Sequence, residues 1–466
     1  MHTGAVASLQ RLSPANTLAE IDETLSPFPL TTPAELKAFY SEKYREARGV
    51  DRMAHLGLKL GRAYNTRHFH AFVMGHPGVG KSTEISKLLL QQSDRFLPIR
   101  ISAATEMYPG DFRIHDLLWL MTLRVLEAAR SPAISGFSDA LSPALLDAVK
   151  RELSEHWVET LGLTHGEVEG GLDLKLIARI KATLKLSRQR TEKVAEYSFS
   201  ALSDLLQVVN RVFNECNAFL RKEKGQEWIL AIEDFEKFGV DPERLRQLFI
   251  DNALLFGQLQ VHLLFVIPIG LAYTEEAEKM PFGRDSQFII PDIAVFDRDH
   301  QVDEKGVDAL LEVVYRRIDK ELLAEDLARQ VVLASGGNIR DLFDLLRRAA
   351  LSAEVQRRTA IQLNNAVEAV NAMRQDYASR LGENPFDKAA AIPLEAKLAK
   401  LEAIYNGDAQ AQIPDKLLYV LLRLRIVLQF NGEGWYGVHP MIVDKLKEIS
   451  RILKPDSLGG TPFHVH

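Results

Sequence analysis

The sequence predicts an α/β fold: a parallel sheet with helices on both faces, followed by a helical lid domain and a C-terminal winged-helix-like module. Three observations predict it. The stretch VMGHPGVGKSTEISKLLL (73–90) sets a glycine-rich loop between an apolar run and a helical one. Short apolar runs then alternate with helical segments up to about residue 300, the pattern of a parallel sheet covered by helices. Near the end, an apolar helix, two short apolar runs around NGEG and a closing helix read as helix, hairpin and helix.

The elements follow in order. Residues 1–45, with Pro14, Pro27, Pro29, Pro33 and the helical stretch PAELKAFYSEKYREA, form an N-terminal arm rather than a domain. Residues 46–300 form the main domain. HFHAFVMG is the strand entering the glycine loop, STEISKLLLQQ the helix leaving it, and RFLPIRISA a second strand. An insertion at about 131–200 carries GLDLKLIARIKATLKLS, whose even positions from 172 to 186 are apolar. That alternation reads as a half-buried strand, with a basic helix having Ile177, Ile180 and Leu184 on one side as the alternative. EWILAIEDFE, VHLLFVIPI and SQFIIPDIAVF supply three more strands. Residues 301–383 repeat helical spacing and form the lid; residues 384–466 form the winged-helix-like module. With 466 residues the chain exceeds the usual domain size of about 100 to 200, which supports this division.

Composition excludes more than it selects. Apolar content of 46% supports a folded protein, and a formal net charge of −6 gives no global attraction to nucleic acid or anionic membrane. The single cysteine, Cys216, excludes an internal disulfide framework and a cysteine-rich zinc site; it fits a reducing cytosol and reads as a small hydrophobic filler. The N-terminus has no basic leader or long apolar core, so a cytoplasmic location is expected. VHLLFVIPIGLAY (261–273) is shorter than the roughly 20 residues needed to cross a bilayer, so no membrane span is expected.

The chemistry concentrates at Gly75-His76-Pro77-Gly78-Val79-Gly80-Lys81-Ser82, followed by Thr83. This fits G-x-x-x-x-G-K-[ST], the phosphate-binding loop of P-loop NTPases. Glycines let successive backbone N–H groups converge on phosphate oxygens, and the helix N-terminus adds favourable partial charge. Lys81 is expected to reach the β and γ phosphates and Ser82 to ligate Mg²⁺, so ATP and Mg²⁺ are the expected ligands. A chance match in a chain of this length is about a one or two percent event. A second acidic element is expected at the end of a neighbouring strand, to hold the metal's water and orient the attacking one. ILAIED meets this need with Glu233 for the metal and Asp234 for the nucleophile.

On GHPGVGKST, ILAIEDFEK and ASGGNIRDLFDLLRRA (334–349), the sequence resembles the AAA+ superfamily. It is similar in style to initiator-type and STAND-like ATPases, among them bacterial ATPases found with defence and mobile-element systems. The similarity covers about residues 50–350. It implies that Arg340 is a sensor-2 arginine carried by the lid, although Gly336, Gly337 and Asn338 also read as an ordinary helix stop and cap. It implies an arginine finger, supplied to a neighbouring subunit of a homo-oligomer, between the fourth and fifth strands; Arg284 falls there, with Arg316 and Arg317 as runners-up.

The sequence also departs from the family. Glu233 precedes Asp234 where the family usually begins with Asp, Glu236 and Lys237 replace a common Asp-Arg pair, and VHLLFVIPI ends without the polar sensor-1 residue. Slow turnover follows from the shorter acid at 234. Possible DNA contacts are Lys175, Arg179, Lys181, Lys185, Arg188 and Arg190 in the insertion, and Lys416, Arg423 and Arg425 in the C-terminal module.

Two functions are therefore expected: an ATPase coupling hydrolysis to assembly and to action on DNA or a partner protein, with antiviral defence as the setting the resemblance implies, or a nucleotide-dependent switch or scaffold with marginal hydrolysis that holds an effector protein. A small-molecule kinase is disfavoured because the lid and terminal module have no role in one.

Overall fold

The computed structural model describes residues 11–108, 112–131, 134, 142–154, 164–169, 174–186, 199–235, 242–273, 279–382, 392–430, 435–449, 451–452 and 462–463. Five strands, β1 (His70–Gly75), β2 (Phe96–Ser102), β3 (Glu227–Glu233), β4 (His262–Pro268) and β5 (Gln287–Ile289), form one sheet. Its order is β2-β3-β4-β1-β5 and every pairing is parallel. The continuous apolar runs of β1, β3 and β4 occupy the interior, where both faces are covered. β2 lies at an edge, which tolerates Pro98.

Side chains alternate between two cores. Phe72, Met74, Leu230, Ile232 and Phe265 point to one face, packed by the helices Ile114–Ala129 and Phe199–Lys224. Ala71, Val73, Ala231, Leu264 and Val266 point to the other, against Leu56 and Leu60 and against Ile85 and Leu89 of the loop helix Lys81–Gln91. Gly75 pairs with Pro268 and Ser102 with Glu233, so the carboxyl ends of the strands share one rim. The acidic strand is not the direct neighbour of the loop strand: β4, apolar on both faces, lies between β3 and β1.

The insertion corrects one expectation. Residues Leu174–Leu186 form a helix, not a strand. Leu176, Ile177, Ile180 and Leu184 are buried against Ile114–Ala129, a helical stripe that Ile177 completes by breaking the strict alternation. The basic residues consequently do not line one strand face: Lys175, Arg179 and Lys185 are exposed, while Lys181 is paired with Glu127 at 2.8 Å. Arg188 and Arg190 lie outside the described residues, as do Glu236, Lys237 and the NGEG turn.

The arm, lid and C-terminal module share one core. Leu18, Ile21, Leu25 and Tyr44 of the arm pack with Val307, Leu310, Phe343 and Leu346 of the lid and with Leu418, Leu421 and Ile442 beyond it. The arm helices begin at side-chain caps, Thr32 with Glu35 for Pro33–Phe39 and Ser41 for Glu42–Ala47, and the break between them at Tyr40 turns the chain toward the glycine loop. The C-terminal module contains the helices Lys416–Arg423 and Pro440–Glu448 and an antiparallel pair, β6 (Val427–Phe430) with β7 (Trp435–Val438). β6 continues toward the sheet domain: the Asp292 N–H donates to the Gln429 carbonyl at 2.9 Å. Cys216 is buried among apolar side chains, as a filler should be. No helix among the described residues is long and apolar enough to cross a membrane.

Candidate nucleotide site

At the end of β1 the chain turns through Gly75–Gly80 into Lys81–Gln91, with Gly80 at the helix N-cap. Gly78 and Gly80 adopt φ of 91° and 96°, a region costly for residues with a Cβ. Gly78 is needed for space as well, since a Cβ there would lie 2.3 Å from the Arg340 Cβ. Val79 turns inward to the sheet core. The first-turn N–H groups of Lys81, Ser82 and Thr83 have no intrahelical acceptor by helix geometry. Lys81 is buried and its Nζ donates to the carbonyls of Gly75 and His76, 2.9 Å each, holding the ammonium across the mouth of the loop. The Thr83 hydroxyl accepts the Leu30 N–H of the arm at 3.2 Å.

The two acids lie on the same rim. Glu233 is buried at the end of β3, beside Ser82, and paired with Arg100 of β2, whose Nε donates at 2.8 Å. Burial raises the Glu233 pKa against the opposing pull of Arg100 and Ser82. Asp234 has φ of 70°, the left-handed region that Asp tolerates better than most residues, and its Oδ2 accepts from the Ser102 hydroxyl at 2.6 Å. The rim of β4 ends in Pro268 and continues through Ile269, so the polar sensor-1 residue missing from the sequence is missing from this position too.

The lid closes over the loop. Asn338 caps Ile339–Val355, its Oδ1 accepting from the Arg340 N–H at 3.0 Å, while its Nδ2 donates to the Pro77 carbonyl at 3.2 Å and to Asp292 at 2.9 Å. One side chain thus caps the lid helix and ties it to the glycine loop. The resulting cavity, about 380 Å³, is walled by Gly78, Gly80, Lys81, Ser82, Thr83, Asp234 and Arg340 together with the arm. Gly75, Pro77, Val79 and Glu233 stand behind this surface.

The arginines fall differently. Arg284 is exposed in the turn Arg284–Ser286 at the amino end of β5, opposite the loop and outside the cavity. Arg316 pairs with Glu312 at 2.9 Å. Arg317 is no surface finger: it is buried between the rings of Phe39 and Phe343, donates to the carbonyls of Phe39 and Val313, and has its pKa lowered to about 9 by burial. Arg425, expected on a DNA-facing surface, instead enters the cavity wall and pairs with Asp341 at 3.1 Å, its φ of 58° turning the chain at the end of Lys416–Arg423. Arg423 and Lys416 are exposed.

Several participants escaped the sequence reading. Arg48, just after the arm helix Glu42–Ala47, is buried, pairs with Glu84 and donates to the Val79 carbonyl; the Tyr40 hydroxyl reaches Glu84 at 2.9 Å. His76 accepts the Gln429 N–H of β6 through Nε2 at 3.3 Å, and burial depresses its pKa to about 3. Asp292 is fully buried beside it, and burial pushes its pKa up to about 7. Asp341 accepts from Tyr377 at 2.7 Å with His439 3.7 Å away; burial raises its pKa, but His439 and Arg425 pull it well below the usual carboxylate range.

No family model and no curated protein matches the chain. Among solved structures it is similar to the Aeropyrum pernix ORC1 protein in complex with DNA, at 16% identity over 92% of this chain and 97% of that one, with a TM-score of 0.41. A Walker-type ATPase of Pyrococcus abyssi is 13% identical over 91% and 99%, with a TM-score of 0.44. The Pyrobaculum aerophilum CDC6P structure is 16% identical over 92% and 96%, with a TM-score of 0.39. These are likenesses in the course of the chain.

Proposed function

We propose that the chain binds ATP between the glycine loop and the lid, hydrolyses it as an AAA+ type ATPase, and couples the nucleotide state to assembly and to action on DNA or a partner protein. The observation that carries this is the convergence of the Gly78–Ser82 loop, Asp234 and Arg340 on one cavity. Lys81, now held by loop carbonyls, would turn its ammonium to the β and γ phosphates. Asp234 would orient the attacking water and take its proton, and Arg340 would meet the γ-phosphate from the lid.

The Ser82 hydroxyl and the Glu233 carboxylate beside it are hard oxygen donors of the kind Mg²⁺ takes. Among the described residues no cluster of three or more acids, histidines or cysteines forms a cage of protein ligands, which fits an ion drawing most ligands from phosphate and water. Bound there, Mg²⁺ would neutralise charge on the phosphates. Arg284, exposed on a different edge, is proposed as the finger for a neighbouring copy in a homo-oligomer. Lys416 and Arg423 remain the basic candidates for DNA, and the resemblance of the motifs suggests a cytoplasmic role in bacterial defence. Phosphate release should be measurable in the wild type and abolished in Lys81→Ala; equal release by both would remove the proposal.

A second reading, a nucleotide-dependent switch or scaffold that holds an effector protein with marginal hydrolysis, is favoured by specific contacts. Asp234 is engaged by Ser102, Glu233 by Arg100, and β4 supplies no polar sensor. Under it, ATP changes the assembled mass measured by size exclusion with light scattering while phosphate release stays slow. An unchanged mass would exclude it.

A further inference from the structure

We propose that Arg100 is a built-in counter-ion for Glu233, which lets the loop hold a nucleoside triphosphate with little dependence on a divalent cation; this rests on the nucleotide reading above. Arg100 lies on the edge strand β2 with its side chain 26% exposed, while the Glu233 side chain is 7% exposed. Nε and Nη2 of Arg100 both contact Oε1 of Glu233, at 2.8 and 2.5 Å. The rest of the guanidinium is fixed by the loop helix: Nη1 donates to the Ser86 hydroxyl, and Nη2 lies 3.5 Å from the Ser82 carbonyl. Ser86 in turn donates to that same Ser82 carbonyl at 2.7 Å. The cation is thus held one helical turn from the hydroxyl expected to ligate the metal.

The consequence is electrostatic. An acid at this position ordinarily draws a hydrated dication by its uncompensated charge. Here that charge is already met by a guanidinium, which also repels a second cation. The triphosphate would meet Lys81 and Arg340 in the cavity wall, with the Arg100 charge fixed behind it against Ser86 and the Ser82 carbonyl. Cation and nucleotide therefore strengthen each other's binding less than in a site whose acid is bare, a coupling that is reciprocal between the two ligands. A purely structural Arg100, stapling β2 to the loop helix, would leave that coupling unchanged.

The test is the affinity for ATP by calorimetry, with Mg²⁺ and with EDTA, in wild type, Arg100→Gln, Arg100→Lys, Glu233→Gln and Lys81→Ala, each checked for folding by circular dichroism. Wild type should bind in EDTA nearly as well as in Mg²⁺. Arg100→Gln should raise the ratio of the two dissociation constants by about tenfold, within the 5- to 150-fold range usual for coupled ligands, and Arg100→Lys should stay near wild type. Glu233→Gln, which frees Arg100 from its carboxylate, should tighten binding in EDTA and keeps the test decisive if Arg100→Gln does not fold. An unchanged ratio in Arg100→Gln, or unaltered or weaker EDTA binding in Glu233→Gln, would overturn the proposal while leaving the nucleotide site standing. Wild type indistinguishable from Lys81→Ala in both buffers would remove the nucleotide site itself, and this proposal with it.

Discussion

Gly78 carries two constraints at once, a positive φ and contact with the lid residue Arg340. Gly78→Ala should cost at least about 1 kcal/mol from the backbone alone, and should push the lid from the loop; a lowered melting temperature together with weakened ATP binding is expected. Asp292 makes a prediction in pH. Burial raises its folded pKa to about 7 from an ordinary 3.8, so its contribution to stability falls as pH rises from about 4 to 7 and stays low above. His76 runs the other way: its pKa is depressed to about 3, so its contribution is full above 6.5 and is lost as pH falls toward 3. Asp292→Asn should therefore raise the melting temperature at pH 8 and raise it less at pH 5. An equal shift at both would refute the assignment.

Between elements, the tie among loop, lid and terminal module is a run of buried polar contacts: His76 to β6, Asn338 to Pro77 and Asp292, and Asp341 to Arg425 and Tyr377. Arg425→Ala removes a charge partner from the buried Asp341 and should cost about 3 kcal/mol in chemical denaturation, with the module more open to protease; a loss below about 0.5 kcal/mol, the level of surface substitutions, would show the pair to be idle. The same elements show what was legible. WILAI and HLLFVI read as strands because burial on both faces leaves a continuous apolar run, and the glycine loop read as a phosphate site because its chemistry is local. Strand adjacency was not legible, since β4 and β3 are equally apolar. The insertion helix was misread because apolar residues at every second position satisfy much of a helical stripe too. Arg100 was not singled out and Arg425 was read as a DNA contact, because sequence does not tell which groups lie across from a side chain after folding.

At the scale of the whole molecule, the arm, the lid and the C-terminal module share one core and meet the sheet domain along the cavity that the glycine loop opens into. A ligand that bridges loop and lid biases the position of everything built on that core, by population shift. Arg340 sits on the lid side of this bridge, Lys81 on the loop side. The most direct test is a calorimetric titration of ATP and ADP into the wild type, Lys81→Ala and Arg340→Ala. One nucleotide per chain should bind, Lys81→Ala should lose both ligands, and Arg340→Ala should weaken ATP more than ADP. Wild-type affinities for both nucleotides in Lys81→Ala, or an equal loss of affinity for ATP and ADP in Arg340→Ala, would contradict a triphosphate held by the loop and sensed from the lid.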